Sequence, residues 1–126
     1  MLLMTAGIHS EVDKSLSAVE LNTRGYQLYE QKRYAESLDY FRAAFEKDPD
    51  YAYPHYNYAC VLSLLAEQDE KKWGENEWEI TEHLLVSMRL REKYVSKYFT
   101  DSDLKWYRKK QDTYSWPLLE YRSGKF

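Results

Sequence analysis

Between Tyr34 and Lys47 the side chains Tyr34, Leu38, Phe41, Ala44 and Phe45 recur with the period of an α-helix, and the run then meets Asp48-Pro49-Asp50. Pro49 has no amide proton and pushes Asp48 away from helical geometry, so a helix must stop there. Such stops are scarce, because the chain has only four Gly and three Pro in 126 residues. Few breakers suit long helices better than strands joined by tight turns. The expectation is an all-α protein of one domain, burying about two-thirds of the surface its unfolded chain exposes.

The other elements follow from caps and periodicity. Residues 1–16 show no sustained helical period and are expected to form a flexible N-terminal segment. Ser17-Ala18-Val19-Glu20 has capping-box spacing and predicts a helix running to about Glu30. Gln31-Lys32-Arg33 makes the turn into the helix of Tyr34–Lys47. Pro54 fits the first turn of a third helix, which continues through Leu62 and Leu65 to about Glu67. Residues 68–76 are polar and broken by Gly74, which predicts a loop. Ile80, Leu84, Met88, Val95 and Phe99 keep helical spacing, so a fourth helix is predicted from near Glu77 to Phe99, with Glu92 the place for any bend. A short helix is predicted around Leu104–Lys110, and Ser115-Trp116-Pro117-Leu118-Leu119 reads as the opening of a last one.

Charge is divided along the chain. The net charge is −3, but residues 1–82 carry 8 basic and 16 acidic side chains while residues 83–126 carry 10 basic and 5 acidic. Solvated helix faces account for most of this; head-to-tail association, or an acidic partner for the C-terminal end, is the sharper reading. Nucleic acid is not expected as a partner, since the acidic whole repels phosphate at long range. Cys60 is the only cysteine, so no disulfide forms within the chain. The first residues lack the basic and apolar regions of a secretion signal, and no stretch approaches the ~20 apolar residues of a membrane span. A cytoplasmic protein without a membrane partner is expected.

Residues 18–49 resemble one tetratricopeptide repeat, a 34-residue helix–turn–helix unit with fixed small, aromatic and proline positions. Gly25, Tyr34, Ser37, Phe41, Ala44 and Pro49 all match in register; Leu21, Arg24 and Leu28 stand where the family favours Trp, Leu and Tyr. A second copy begins 34 residues later, with Ala59 opposite Gly25 and Leu62 opposite Leu28. Its second helix is displaced by an insertion of nine residues, which pairs Leu84 and Ser87 with Phe41 and Ala44, or of ten, which pairs Leu85 and Met88 with them. Asp101-Ser102-Asp103-Leu104 with Trp106, Tyr107 and Arg108 is loosely similar to the closing segment of some bacterial tetratricopeptide proteins. The resemblance implies a right-handed stack of antiparallel helix pairs: repeat one over 18–51, repeat two over 52–92 with an insertion near 68–76, and capping helices over 93–126. Two repeats leave an apolar end face, which Leu104, Trp106, Tyr107, Tyr114, Trp116 and Leu118 would cover.

In that family the first helix of each repeat lines a concave groove. The resemblance places Asn22, Thr23, Tyr26, Tyr29 and Glu30 there from the first repeat, and Tyr53, Tyr56, Asn57, Cys60, Ser63 and Leu64 from the second. It implies a non-catalytic adaptor that binds a peptide or helix of another protein through this tyrosine-rich groove. In the alternative, these rings pack against the capping helices. A second functional reading is a self-association protein, dimerising through the insertion and the oppositely charged halves. The family's carboxylate clamp is not expected: Asn57 matches it, but Asn22 and Tyr26 stand where Lys and Asn are required.

Few residues suggest chemistry. His9, His55 and His83 are not spaced as a helical metal pair; His55 is expected to pack and His83 to lie on the surface. Cys60 has no cation nearby in sequence and is expected to be an inert thiol. The carboxylates of Glu67–Glu82 read as a solvated run, and Lys105–Lys110 as a cap helix with its rings inward. No phosphate loop or nucleophile elbow is present, so neither enzyme activity nor a metal or cofactor is expected.

Overall fold

The computed structural model describes residues 11–111. Within them the chain is all-helical, with no strand among the described residues. Seven α-helices follow one another: α1 (Ala18–Glu30), α2 (Tyr34–Lys47), α3 (Ala52–Gln68), α4 (Glu70–Trp73), α5 (Glu77–Leu90), α6 (Lys93–Thr100) and α7 (Lys105–Gln111). Short 3₁₀ turns at Gly74–Asn76 and Ser102–Leu104 join α4 to α5 and α6 to α7. None of the described helices is long and apolar enough to cross a membrane.

The capping box forms as its spacing predicts. The Glu20 amide donates to Ser17 Oγ at 3.1 Å, and the Ser17 amide donates to Glu20 Oε1 at 3.0 Å. Residues 11–16, part of the segment expected to be flexible, are tied down: Val12 and Leu16 pack on the cluster of Leu21, Leu28, Tyr40 and Ala44. The Lys47 ammonium donates to the carbonyls of Lys14 and Leu16 at 2.6 Å each. At the next turn Lys32 takes a left-handed φ of 62°, which lets the chain reverse direction and set α2 against α1.

Gly25 explains how closely α1 and α2 approach. A β-carbon there would lie 2.7 Å from Cε1 of Phe41, and Phe41 is fully buried. The small residue on one helix makes room for the ring on the other. Asp48 then leaves helical geometry at φ −139°, ψ 91°, as the proline beyond it requires.

α3 is the centre of the molecule. It is apolar nearly all round, as a helix enclosed by others must be, and α2, α5, the second 3₁₀ turn and α7 all pack on it. α5 repeats the design of α2. Both have 14 residues, and Arg91 ends α5 at φ −144°, ψ 109°, close to the geometry of Asp48. Leu84 and Ser87 are fully buried, as Phe41 and Ala44 are, while Leu85 is only partly covered. Met88 is buried as well, at 3% exposed.

Two expectations are corrected. The single helix from Glu77 to Phe99 is two helices, broken at Arg91-Glu92. Tyr94 and Tyr98 are buried, and a straight continuation of α5 would carry them away from α3. The loop expected at residues 68–76 contains α4, opened by the Lys72 amide donating to Asp69 Oδ1 at 3.2 Å. α4 is fastened to α7: Trp106 Nε1 donates to Glu70 Oε1 at 2.7 Å, and Lys110 Nζ to Glu70 Oε2 at 3.1 Å.

Leu104, Trp106 and Tyr107 are buried. Arg108 fixes the corner before them by donating to the carbonyls of Tyr98 and Asp101 at 2.8 and 2.7 Å. Trp106 and Tyr107 face inward and Lys105 and Lys109 outward, which accounts for the alternation of aromatics and cations in the α7 sequence. The capping roles of Tyr114, Trp116 and Leu118, and the helix at Ser115–Leu119, lie outside the described residues.

Candidate binding cleft

A cavity of about 400 Å³ opens between α1, α3, the end of α6 and the turn after it. Tyr26, Tyr29, Tyr56, Asn57 and Cys60 line it from α1 and α3, with Phe41 beneath. Lys97, Thr100, Asp101, Ser102 and Asp103 line it from the other side. Five residues of the expected groove therefore meet here: Tyr26, Tyr29, Tyr56, Asn57 and Cys60.

The carboxylates organise the floor. The Tyr29 hydroxyl donates to Asp103 Oδ2 at 2.6 Å, and the Tyr56 hydroxyl to Asp101 Oδ2 at 2.9 Å. Asp101 Oδ1 accepts the Asp103 amide at 3.0 Å, which shapes the turn. Tyr56 is only 2% exposed and stacks on Tyr94 with ring centroids 4.2 Å apart. Part of the tyrosine face is therefore taken up by the capping helix, as the packing alternative holds. Tyr26 is the exception at 46% exposed, lying 5.3 Å from the Tyr29 ring.

Burial sets the protonation of these groups. It raises the Tyr29 and Tyr56 phenols well above the ordinary range, so both keep the protons they donate. It raises the Asp103 carboxyl as well, against the hydrogen bond from Tyr29. The Cys60 thiol is pushed up by burial and then by Asp101, so it stays protonated. Ligand-type atoms of Cys60, Asp101 and Asp103 lie within 4.8 Å of one another. The tyrosyl hydrogen bonds account for that clustering, and a protonated thiol is a poor nucleophile or ligand.

The remaining expected groove residues lie elsewhere or are differently engaged. Asn22 is just outside the cavity and accepts from Asn57 Nδ2 at 3.1 Å. Thr23 and Glu30 are exposed and do not line the cavity. Ser63 is fully buried and accepts the Tyr107 amide at 3.3 Å. Leu64 is partly buried beyond the cavity, and Tyr53 stands at the start of α3 beside Arg91 and Lys93. Side chains follow the helix face, and each of these points at a neighbouring helix or at solvent.

Sequence reasoning missed Lys97, Asp101 and Asp103 as cleft residues. Asp101-Ser102-Asp103 reads as a set of caps, and Asp101 does cap the 3₁₀ turn. The usable signal was Lys97 one helical turn before an acidic pair, but its meaning depends on where α6 turns back. On the other side of α1, a cavity of about 330 Å³ is bordered by Arg24, Gln27 and Gln31, with the Arg33–Glu36 ion pair at its edge.

His83 is not a surface residue. Ile80, Leu84 and Ser87 set the inward face of α5 and place His83 on it, where its Nδ1 lies 2.9 Å from Nδ1 of His55. His55 Nε2 lies 2.8 Å from the Pro49 carbonyl, which can only accept, so that nitrogen carries the His55 proton. His55 Nδ1 is then the acceptor, and His83 Nδ1 donates to it. Phe45 stacks on His55 at 4.8 Å, in keeping with a packing role for that ring. The carboxylate run is also less solvated than expected. Glu79 accepts the Tyr58 hydroxyl at 2.8 Å and Glu77 accepts Gln111 Nε2 at 2.9 Å.

No protein-family model matches the chain, and neither the curated proteins nor the solved structures give a match.

Proposed function

We propose that the chain is a non-catalytic adaptor of tetratricopeptide type that holds a segment of a partner protein in the cleft between α1, α3 and α6. The observation that carries this reading is an open cavity of about 400 Å³ with the exposed Tyr26 ring on its wall and polar groups from two directions around it. A cavity of that size takes one or two side chains of a bound segment. A flat ring with a polar tip binds such a segment at low entropic cost. The groups that would carry chemistry are occupied: the thiol is protonated, and both carboxylates accept from phenols. The paired geometry of α2 and α5, and the Gly25–Phe41 contact, support the repeat assignment.

The test is affinity capture with wild-type protein and with Tyr26→Ala combined with Asn57→Ala. Tyr56 is a poor probe, because it is buried and its loss would damage the core. The double variant should melt within a few degrees of the wild type and lose the captured partner. Retention of that partner by the folded variant would refute the cleft. A dimer that dissociates as salt is added, without any captured protein, would favour self-association instead.

A further inference from the structure

Three points meet near the cleft but outside its lining: the first turn of α3, the break between α5 and α6, and the first residue of α6. They carry Tyr53, Arg91 and Lys93. The Arg91 guanidinium donates to the Tyr53 phenol oxygen at 3.2 Å, and the Lys93 ammonium donates to the same oxygen at 3.4 Å. Both also lie over the Tyr53 ring, with Arg91 Cζ 5.3 Å and Lys93 Nζ 4.7 Å from its centroid. Tyr51 and Tyr94 brace that ring edge-on at 5.5 and 6.2 Å.

Two like charges held on one neutral oxygen repel each other, and a protein normally places a carboxylate between them. Here it does not. The ion pairs among the described residues are Arg33–Glu36, Arg42–Asp39, Lys105–Glu67 and Lys110–Glu70, so no carboxylate oxygen of the described residues comes within 4.0 Å of Arg91 or Lys93. With its oxygen accepting from both cations, the Tyr53 hydroxyl keeps its own proton free to donate as a third group. Arg91 retains further N–H groups in a planar fork that matches a carboxylate. The cluster is an exposed set of donors with no carboxylate partner among the described residues.

We propose that Tyr53, Arg91 and Lys93 bind the side-chain carboxylate of an acidic residue carried by the partner segment. The source of that carboxylate rests on the adaptor reading; the site itself does not. Continuity with the cleft supports the pairing. Lys97 follows Lys93 by one turn on the same face of α6, lines the cavity and lies 5.6 Å over the Tyr56 ring. A segment lying in the cleft therefore reaches the three donors at one end.

The experiment is an amide-resolved NMR titration of the full chain at low salt with acetyl-tetraglutamate amide, which has no free terminus. Acetyl-tetraglutamine amide and inorganic phosphate serve as comparison probes. Tetraglutamate should give saturable shifts centred on residues 51–53 and 91–94, and tetraglutamine none. Arg91→Gln with Lys93→Gln should weaken the binding at least tenfold, whereas Lys71→Gln with Lys72→Gln should leave it unchanged. If the first double variant does not fold, Lys93→Gln alone decides, with a severalfold loss expected. The proposal falls if tetraglutamate gives no saturable shift, if phosphate binds there and tetraglutamate does not, or if the Gln variants bind as well as wild type. Tetraglutamate binding in a protein whose cleft variants keep their captured partner would leave this site standing and remove the adaptor reading.

Discussion

Gly25 shows most directly how one residue sets the distance between two helices. Replacing a helical glycine with alanine normally gains up to about 1 kcal/mol of helix propensity. Here the new methyl would sit 2.7 Å from Cε1 of the fully buried Phe41 ring. Overpacking of this kind costs about 1–3 kcal/mol and outweighs the gain. Gly25→Ala should therefore lower the urea midpoint with an unchanged slope; a raised midpoint would show that α1 and α2 can move apart at no cost. Gly25 and Phe41 were legible in the sequence through the resemblance of residues 18–49 to a tetratricopeptide repeat, whose small and aromatic positions they match. Asp101 and Asp103 were not, because the same two residues that cap a turn also receive Tyr56 and Tyr29, from 45 and 74 residues away.

For the helices, legibility followed the breakers. α1, α2 and the start of α3 were readable from Ser17, Pro49 and Pro54, where the chain marks its own boundaries chemically. The break at Arg91 has no glycine or proline, and the apolar period runs through it. Only the need to bring Tyr94 and Tyr98 onto α3 breaks the helix there, and that need is tertiary. α4 was hidden for a related reason: its residues are charged, and it is held from outside by Trp106 and Lys110. The closing segment after α6 should be indispensable. A chain ending at Phe99 loses Leu104, Trp106 and Tyr107, all of which are buried, and uncovers one side of α3. It should aggregate or melt without cooperativity, as seen by calorimetry and light scattering; a soluble truncation with a sharp transition would show that α3 needs no such cover.

At the level of the whole molecule, the histidine pair links α3 to α5 beside Phe45 of α2, so its protonation bears on global stability. Burial is the main cause that lowers both rings, with His83 brought down to about 4 and further depressed by His55 and then Arg42. A histidine lowered in the folded state binds its proton more readily when the chain unfolds. Its contribution is complete above about pH 6.5 and is lost as the pH falls toward about 4, at up to about 1.4 kcal/mol per pH unit for one proton. Chemical denaturation across pH 4.5–7.5 should show that decline, and His83→Leu should flatten it. An equally steep decline in the variant would assign the effect to other groups. All-helical architecture was readable from composition and breakers; the meeting of His55 with His83 was not, since it depends on how α5 is rotated against α3.

The grip of Trp106 and Lys110 on Glu70 ties α4 to α7. A row of stacked hairpins ordinarily finishes with another hairpin. Here α7 is a short hook, and the short helix α4 between α3 and α5 is the eye that the hook catches. α4 and α7 are thus one fastening split across the sequence, and removing either leaves the other without its counterpart.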